Sequence, residues 1–104
     1  MNKDYIVING TRYRVEANWN AILSYLKQTG RNTIEGLSCF SALAPSDLAE
    51  LMAVCINEGE RLEGKQTQMT AEWVGENCGM SEISAFMVVF SKQVTPDLPK
   101  QKKA

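Results

Sequence analysis

The sequence predicts an α+β fold, mostly α, in which an N-terminal β-hairpin precedes a small bundle of four to five helices. Two apolar runs flank Asn9-Gly10, a pair suited to the two positive φ angles of a type I′ hairpin turn. Later segments repeat apolar residues at the helical spacing i, i+3, i+4. With 104 residues, 44% of them hydrophobic and 22% charged, the chain matches one domain with one core. We expect that domain over residues 1–94 and a basic, disordered tail over 95–104.

The hairpin is expected over residues 5–16. Folding about the Asn9-Gly10 turn pairs Ile8 with Thr11 and thereby separates the side chains into two faces. The apolar face, which must rest on the helices because a lone hairpin is marginal in water, carries Ile6, Ile8, Tyr13 and Val15. The outer face carries Tyr5, Val7, Arg12 and Arg14.

The helices are placed by capping residues and breakers. Asn18 and Thr70 are good N-caps, Pro45 suits a first helical turn, and Gly30 suits a helix end. Gly59 is expected to close the third helix or to let it fray. The predicted helices span residues 18–29, 33–40, 45–59, 70–78 and 81–94.

Each long helix has one apolar stripe that is expected to be buried. The stripe of the first helix consists of Trp19, Ile22, Leu23 and Leu26. The stripe of the third consists of Leu48, Leu51, Met52, Cys55 and Ile56. The stripe of the last consists of Ile83, Phe86, Met87, Phe90 and Val94.

The last helix has more apolar residues than one buried stripe requires, because Val88 and Val89 remain after the stripe is assigned. Either this helix is sandwiched between neighbours, or part of it is exposed for a partner. We expect the sandwich, since a final helix can pass through the centre of a small bundle.

Composition excludes several classes of function. The net charge of −1 provides no field that attracts nucleic acid or anionic membrane. The chain has no histidine, which excludes Ser-His-Asp and Cys-His nucleophile pairs and histidine metal sites. No apolar run approaches the roughly 20 residues of a membrane span. We therefore expect no enzyme, no cofactor, no catalytic residue and no metal ligand.

Two groups of residues, the cysteines and a cluster of glutamates, could support catalysis or metal binding. We interpret both as structural. Cys39, Cys55 and Cys78 show no Cys-x-x-Cys spacing, so they are expected to be buried or half-buried thiols. The acidic cluster at 58, 60 and 63 is expected to be a solvated helix end and loop.

The class of function that remains is binding to a partner, and two surfaces are candidates for it. The first is the apolar last helix, with Trp73 as a further aromatic that we expect mainly to anchor the core. The second is the basic face of the hairpin, although the scattered charges favour a solubilising role. The candidate partner-binding residues are Phe86, Met87, Val88, Val89, Phe90, Trp73, Arg12 and Arg14.

Short sequence segments between about residue 5 and residue 94 resemble those of the small tail assembly chaperones of long-tailed phages and prophages. These chaperones are encoded between the tail tube and tape measure genes. Trp73 departs from the family pattern, which has an acidic residue after Glu72. The segments that carry the resemblance are Ile8-Asn9-Gly10-Thr11-Arg12-Tyr13-Arg14-Val15, the helix from Trp19 to Leu26 with Thr29-Gly30-Arg31, Pro45-Ser46-Asp47-Leu48-Ala49-Glu50-Leu51-Met52, Ile56-Asn57-Glu58-Gly59-Glu60-Arg61-Leu62-Glu63-Gly64, Thr70-Ala71-Glu72-Trp73-Val74-Gly75 and the final apolar helix.

The resemblance implies a non-enzymatic protein that coats the tape measure protein, keeps it soluble and helps to recruit tail tube subunits before it is displaced. Its place would be the cytoplasm of the bacterial host and not the mature virion, with homo-oligomers possible and neither membrane nor nucleic acid as a partner. Two alternatives remain open at this point. One is a virion structural subunit of the tail or head–tail connector, and the other is a small nucleic-acid-binding regulator.

Overall fold

A computed structural model describes residues 3–30 and 44–94 of the chain. The hairpin followed by helices confirms the predicted fold class. The predicted helix over 33–40, Cys39 and the predicted tail over 95–104 lie outside the described residues. The elements are β1 (Asp4–Ile8), β2 (Thr11–Val15), α1 (Trp19–Thr29), α2 (Pro45–Leu62), α3 (Ala71–Asn77) and α4 (Met80–Val94).

The hairpin has the predicted turn and register. Asn9 and Gly10 have φ values of 53° and 82°, the left-handed backbone that a type I′ turn requires. Ile8 pairs with Thr11 in the antiparallel ladder. The apolar face is directed into the core, where Ile6, Ile8 and Val15 are buried.

Helix α1 begins and ends as predicted. The Asn18 side chain accepts a hydrogen bond from the backbone N–H of Ala21 at 3.0 Å, which satisfies one of the donors that a helix start leaves free. Gly30 ends the helix with a φ of 73°.

The predicted buried stripe of α1 is wrong in two of its four positions. Trp19 and Leu23 are exposed, and Ala21, Ile22 and Tyr25 form the buried face instead. The Asn18 Nδ2 group donates to a carboxylate of α2 at 2.8 Å, so the start of α1 is fixed against α2. Positions 18, 21, 22 and 25 have the same helical spacing as the predicted stripe, displaced by one residue.

Helix α2 extends three residues beyond the predicted end, through Gly59 to Leu62. Gly59 therefore does not close the helix. A Cβ at Gly59 would lie 2.2 Å from the carbonyl oxygen of Arg14 in β2, so this glycine lets the strand approach the helix closely. The predicted stripe is confirmed, since Leu51, Met52, Cys55 and Ile56 are buried and Leu48 is partly buried.

Helices α3 and α4 match their predicted bounds to within one residue. Thr70 caps α3 by accepting from the Trp73 N–H at 3.0 Å. The sandwich expected for α4 is wrong: in the described part of the chain α4 lies mainly on the hairpin, and Phe86 and Phe90 are its buried residues. The hairpin lies between α4 on one face and α2 along the edge of β2.

Candidate functional site

The candidate surface on α4 divides into core and solvent-facing parts. Phe86 and Phe90 lie in the core with ring centroids 5.8 Å apart, so they are not available to a partner in this structure. Met87 and Val89 are partly buried against the core. Val88 is 68% exposed and is the member of this group that faces outward.

Trp73 is partly buried and joins α3 to the hairpin. Its ring makes an edge-to-face contact with Tyr13, with centroids 6.1 Å apart. This geometry is the favourable one for an aromatic pair. The contact gives Trp73 a packing role, in agreement with its interpretation as a core anchor.

The two hairpin arginines have different surroundings. Arg12 is exposed, and its guanidinium lies 4.3 Å from the centroid of the Tyr5 ring, a cation–π contact. Arg14 is partly buried, and it forms ion pairs at 3.1 Å with both Glu16 and Glu63. The charge of Arg14 is thus already compensated within the protein, and it does not add to a free basic surface.

The prediction that the acidic cluster at 58, 60 and 63 is solvated is wrong for two of its members, because Glu58 and Glu60 are buried. Glu60 is 3% exposed, and its carboxylate accepts from the backbone N–H of Arg14 at 2.9 Å. The N–H of Glu16 donates to the carbonyl oxygen of Cys55 at 3.0 Å. Helix α2 therefore covers the outer edge of β2, and we call this contact the β2–α2 seam.

Glu58 ties the start of α1 to α2. Its carboxylate accepts from Asn18 at 2.8 Å and from Arg61 at 3.0 and 2.7 Å. These bonds, that of Arg61 above all, hold the pKa of Glu58 below its ordinary value although burial acts in the opposite direction. The residue is a structural carboxylate whose acceptors are satisfied.

An apolar patch on α1 was missed by the sequence analysis. Trp19 is 63% exposed and Leu23 is 49% exposed, and residues four apart are neighbours on one helix face. We call this pair the α1 patch. A Trp followed by Leu at i+4 was visible in the sequence, but periodicity does not tell which side of a helix meets the core.

An open cleft of about 590 Å³ lies between α1, α2 and the loop after α2. Its cationic side chains are already paired: Arg61 with Glu58 at 2.7 Å, and Lys65 with Glu60 at 3.6 Å. The cleft therefore presents mostly amide and hydroxyl groups, from Ser24, Gln28, Gln66, Thr67 and Gln68.

Reactive groups in the described ranges are few. Cys55 is buried and Cys78 partly buried, as predicted, and burial raises the pKa of both thiols and disfavours the thiolate. Residues 3–30 and 44–94 contain no group of three Cys, Asp or Glu side chains placed to hold a metal ion. Within the same ranges, no helix is both long and apolar enough to cross a bilayer.

Comparison with known proteins gives no relative from which a function can be transferred. No protein-family model, curated protein or solved structure matches the chain.

Proposed function

We propose that the chain is a tail assembly chaperone of a long-tailed phage or prophage, which acts in the host cytoplasm without catalysing a reaction. It binds the tape measure protein through apolar helical surface and helps to recruit tail tube subunits. The observation that carries the proposal is the exposed apolar surface of the helices, above all the α1 patch of Trp19 and Leu23. The family resemblance of the sequence supports the same function.

The physical requirements of this role fit the α1 patch. A long helical client offers apolar residues at helical spacing, and a helix-binding surface must offer apolar anchors of its own. Large aromatic side chains are the commonest anchors at protein interfaces. The contact must also be reversible, so each copy binds modestly and many copies act along one client.

Co-expression with the tape measure protein encoded in the same gene cluster tests the proposal. The client is expected to be soluble with this chain and insoluble without it. The double variant Trp19→Gln/Leu23→Gln is expected to lose this effect, because it removes the apolar anchors without altering the buried face of α1. Lys27→Gln, also exposed on α1, is the matched control and is expected to retain it.

A client that stays equally insoluble with and without the chain contradicts the chaperone function. A double variant that still protects the client shows that the α1 patch is not the binding surface. The virion-subunit alternative is tested separately, since a chaperone is expected to be missing from purified particles. The nucleic-acid alternative is weakened by the internal ion pairs of Arg14, and a gel shift at low salt, where phosphate contacts are strongest, tests it.

A further inference from the structure

Helix α4 is less deeply buried than α2, the other long helix of the domain. Helix α2 buries ten of its 18 residues, whereas α4 buries two of its 15, Phe86 and Phe90. Helix α2 packs against α1, β2 and α3, while in the ranges 3–30 and 44–94 α4 lies mainly on the hairpin. A segment with few buried apolar contacts opens at a lower free energy than a core helix. We therefore expect α4 to separate from the domain more readily than α2.

The junction between α3 and α4 allows such a movement. It consists of Cys78 and Gly79, and the one described atom within 4 Å of a Cβ at Gly79 belongs to Glu82 of α4, at 3.4 Å. The first turn of α4 also makes its own hydrogen bonds. The Glu82 carboxylate accepts from the Gly79 N–H at 2.8 Å, and the Ile83 N–H donates to the Gly79 carbonyl at 3.1 Å. Helix α4 can therefore turn about this junction as an intact helix.

The other end of α4 is fixed to the hairpin by the side-chain amide of Gln93. Its Nε2 group donates to the Val15 carbonyl at 2.8 Å and to the Asp4 carboxylate at 3.0 Å. Its Oε1 atom accepts from the Ala17 N–H at 2.6 Å. Lys92 adds an ion pair with Asp4, but the lysine side chain is exposed and such pairs contribute little. The Gln93 amide is therefore the principal polar contact that detachment of α4 has to break.

The hairpin has a second attachment that does not depend on α4. In the β2–α2 seam the Arg14 N–H donates to Glu60 at 2.9 Å, and the Glu16 N–H donates to the Cys55 carbonyl at 3.0 Å. These four residues all lie outside α4. The close approach at Gly59 likewise joins α2 to β2. We therefore expect the hairpin to stay on α2 when α4 leaves.

The surface beneath α4 is apolar and already holds a helix. Ile6 and Ile8 of β1 and Val15 of β2 are directed into the core and buried, and we call these three residues the hairpin face. Phe86 and Phe90 of α4 lie in the same core with ring centroids 5.8 Å apart. An amphipathic helix on an apolar surface is a common mode of protein recognition. Helix α4 itself therefore shows which kind of partner the hairpin face fits.

We propose that α4 detaches from the hairpin as one helix, and that an apolar helix of the client then takes its place on the hairpin face. The partner chemistry is that of α4, a helix with large apolar side chains at positions i and i+4. Because the protein's own α4 competes, the apparent affinity is reduced by the fraction of molecules in which α4 is detached. The contact is therefore reversible. The identity of the client rests on the proposed function, whereas the detachment of α4 does not.

Native-state amide exchange at low urea concentrations tests the detachment. The amides of α4 are expected to exchange through an opening that leaves α2 closed, so α2 amides should be protected about ten-fold more strongly, or better. The seam amides of Arg14 and Glu16 are expected to follow α2. Equal protection and equal urea dependence of α4 and α2 overturn the proposal, because only the whole domain then opens. Exchange of Arg14 and Glu16 together with α4 also overturns it, because the hairpin then leaves with the helix.

Two variants give different signatures in the same experiment. Glu60→Ala removes a bond that is present in both the closed and the α4-detached molecule. It is expected to speed exchange in α2 by about ten-fold or more and to leave exchange in α4 unchanged. Gln93→Leu removes bonds that are lost on detachment, so it is expected to speed exchange in both helices equally. Ser84→Ala, at an exposed position of α4, is the control and is expected to change neither. If Glu60→Ala speeds both helices alike, the α4-detached molecule does not exist.

A peptide tests whether a separate helix can occupy the hairpin face. The probe is a synthetic peptide of residues 79–94, added to the full-length Phe86→Ala chain, whose own α4 packs less well. The peptide is expected to raise the thermal midpoint of this variant, or to restore its folded circular dichroism spectrum if the variant is unfolded alone. The same peptide with both phenylalanines replaced by alanine is the matched control and is expected to have no effect. No effect of the unmodified peptide, or an equal effect of both peptides, overturns the helix replacement.

These outcomes are independent of the test of the chaperone function. A client that the chain does not keep soluble contradicts the proposed function and leaves the exchange and peptide results as they are. Equal exchange in α4 and α2 overturns the detachment of α4, whatever the client does.

Discussion

Two contacts hold the hairpin, and they differ in kind. Helix α4 covers one face of the sheet with apolar side chains, chiefly Phe86 and Phe90. Helix α2 meets the edge of β2 through single hydrogen bonds, and the two elements can come this close because Gly59 has no side chain. The first contact depends on buried area and tolerates small shifts, whereas the second depends on particular atoms. The two contacts should therefore respond differently to substitution.

The largest effect is expected on the apolar contact. Phe86→Ala removes a fully buried ring and is expected to lower the free energy of unfolding by about 3–5 kcal/mol through lost burial and the cavity that remains. Val88→Ala, on the exposed side of the same helix, is the control and is expected to change it by less than about 0.5 kcal/mol. Urea unfolding measures both. Similar losses would contradict the placement of α4 on the hairpin.

The β2–α2 seam is expected to be sensitive to a single methyl group. Gly59→Ala places a Cβ 2.2 Å from the Arg14 carbonyl oxygen, so strand and helix must separate, at a cost of about 3 kcal/mol. Gly75, also within a helix, has no atom within 4 Å of such a Cβ. Gly75→Ala is therefore expected to stabilise the protein by about 0.5–1 kcal/mol, and thermal unfolding should show opposite shifts. Equal shifts would mean that the close approach at Gly59 is absent in solution.

The contrast between local features and contacts of distant residues explains what the sequence could predict. The Asn9-Gly10 turn, the caps Asn18 and Thr70, and the apolar stripes of α2 and α4 are encoded by neighbours in the chain. Local preference and periodicity therefore predicted the fold class and all the described elements. The hydrogen bonds of the β2–α2 seam join residues 39 and 46 positions apart, and nothing in the local pattern of Gly59 distinguishes a close approach from a helix end.

The candidate site was harder to predict for a related reason. Periodicity shows that a helix has an apolar stripe, but the direction of that stripe depends on tertiary contacts. In α1, Asn18 is hydrogen-bonded to Glu58 of α2, and the buried face of the helix is displaced by one residue from the predicted face. Trp19 and Leu23 are therefore exposed. In α4 the aromatic residues that suggested a binding surface are the ones that the hairpin covers.

Removal of the Glu60 carboxylate from the β2–α2 seam is expected to lower the free energy of unfolding by less than Gly59→Ala does. Glu60→Ala leaves the backbone N–H of Arg14 without its acceptor at the edge of β2, and a lost bond to a buried charged group costs about 2 kcal/mol. Glu76→Ala, on an exposed position of α3, is the control and is expected to be neutral within about 0.5 kcal/mol. Chemical denaturation measures the two. A neutral Glu60→Ala would show that water replaces the carboxylate at no cost.

The smallest effect on stability is expected at acid pH, where protonation of Glu58 weakens its hydrogen bonds between α1 and α2. The pKa of Glu58 lies below its ordinary value of 4.5, chiefly because Arg61 donates to its carboxylate. The unfolded chain therefore binds more protons than the folded chain as the pH falls below about 4.5. The stabilisation is complete above that pH and is lost as the pH falls through the folded pKa.

Arg61→Gln removes the main cause of this shift. Its urea-unfolding free energy is expected to fall less steeply between pH 5 and pH 3 than that of the wild type, while the two differ little in slope above pH 5. Lys27→Gln, which removes a cation from an exposed position of α1, is expected to keep the steep fall. Parallel curves for wild type and Arg61→Gln would show that the side-chain amides of Asn18 and Asn20 hold the Glu58 carboxylate in its charged form. The guanidinium would then contribute no more than an exposed surface cation.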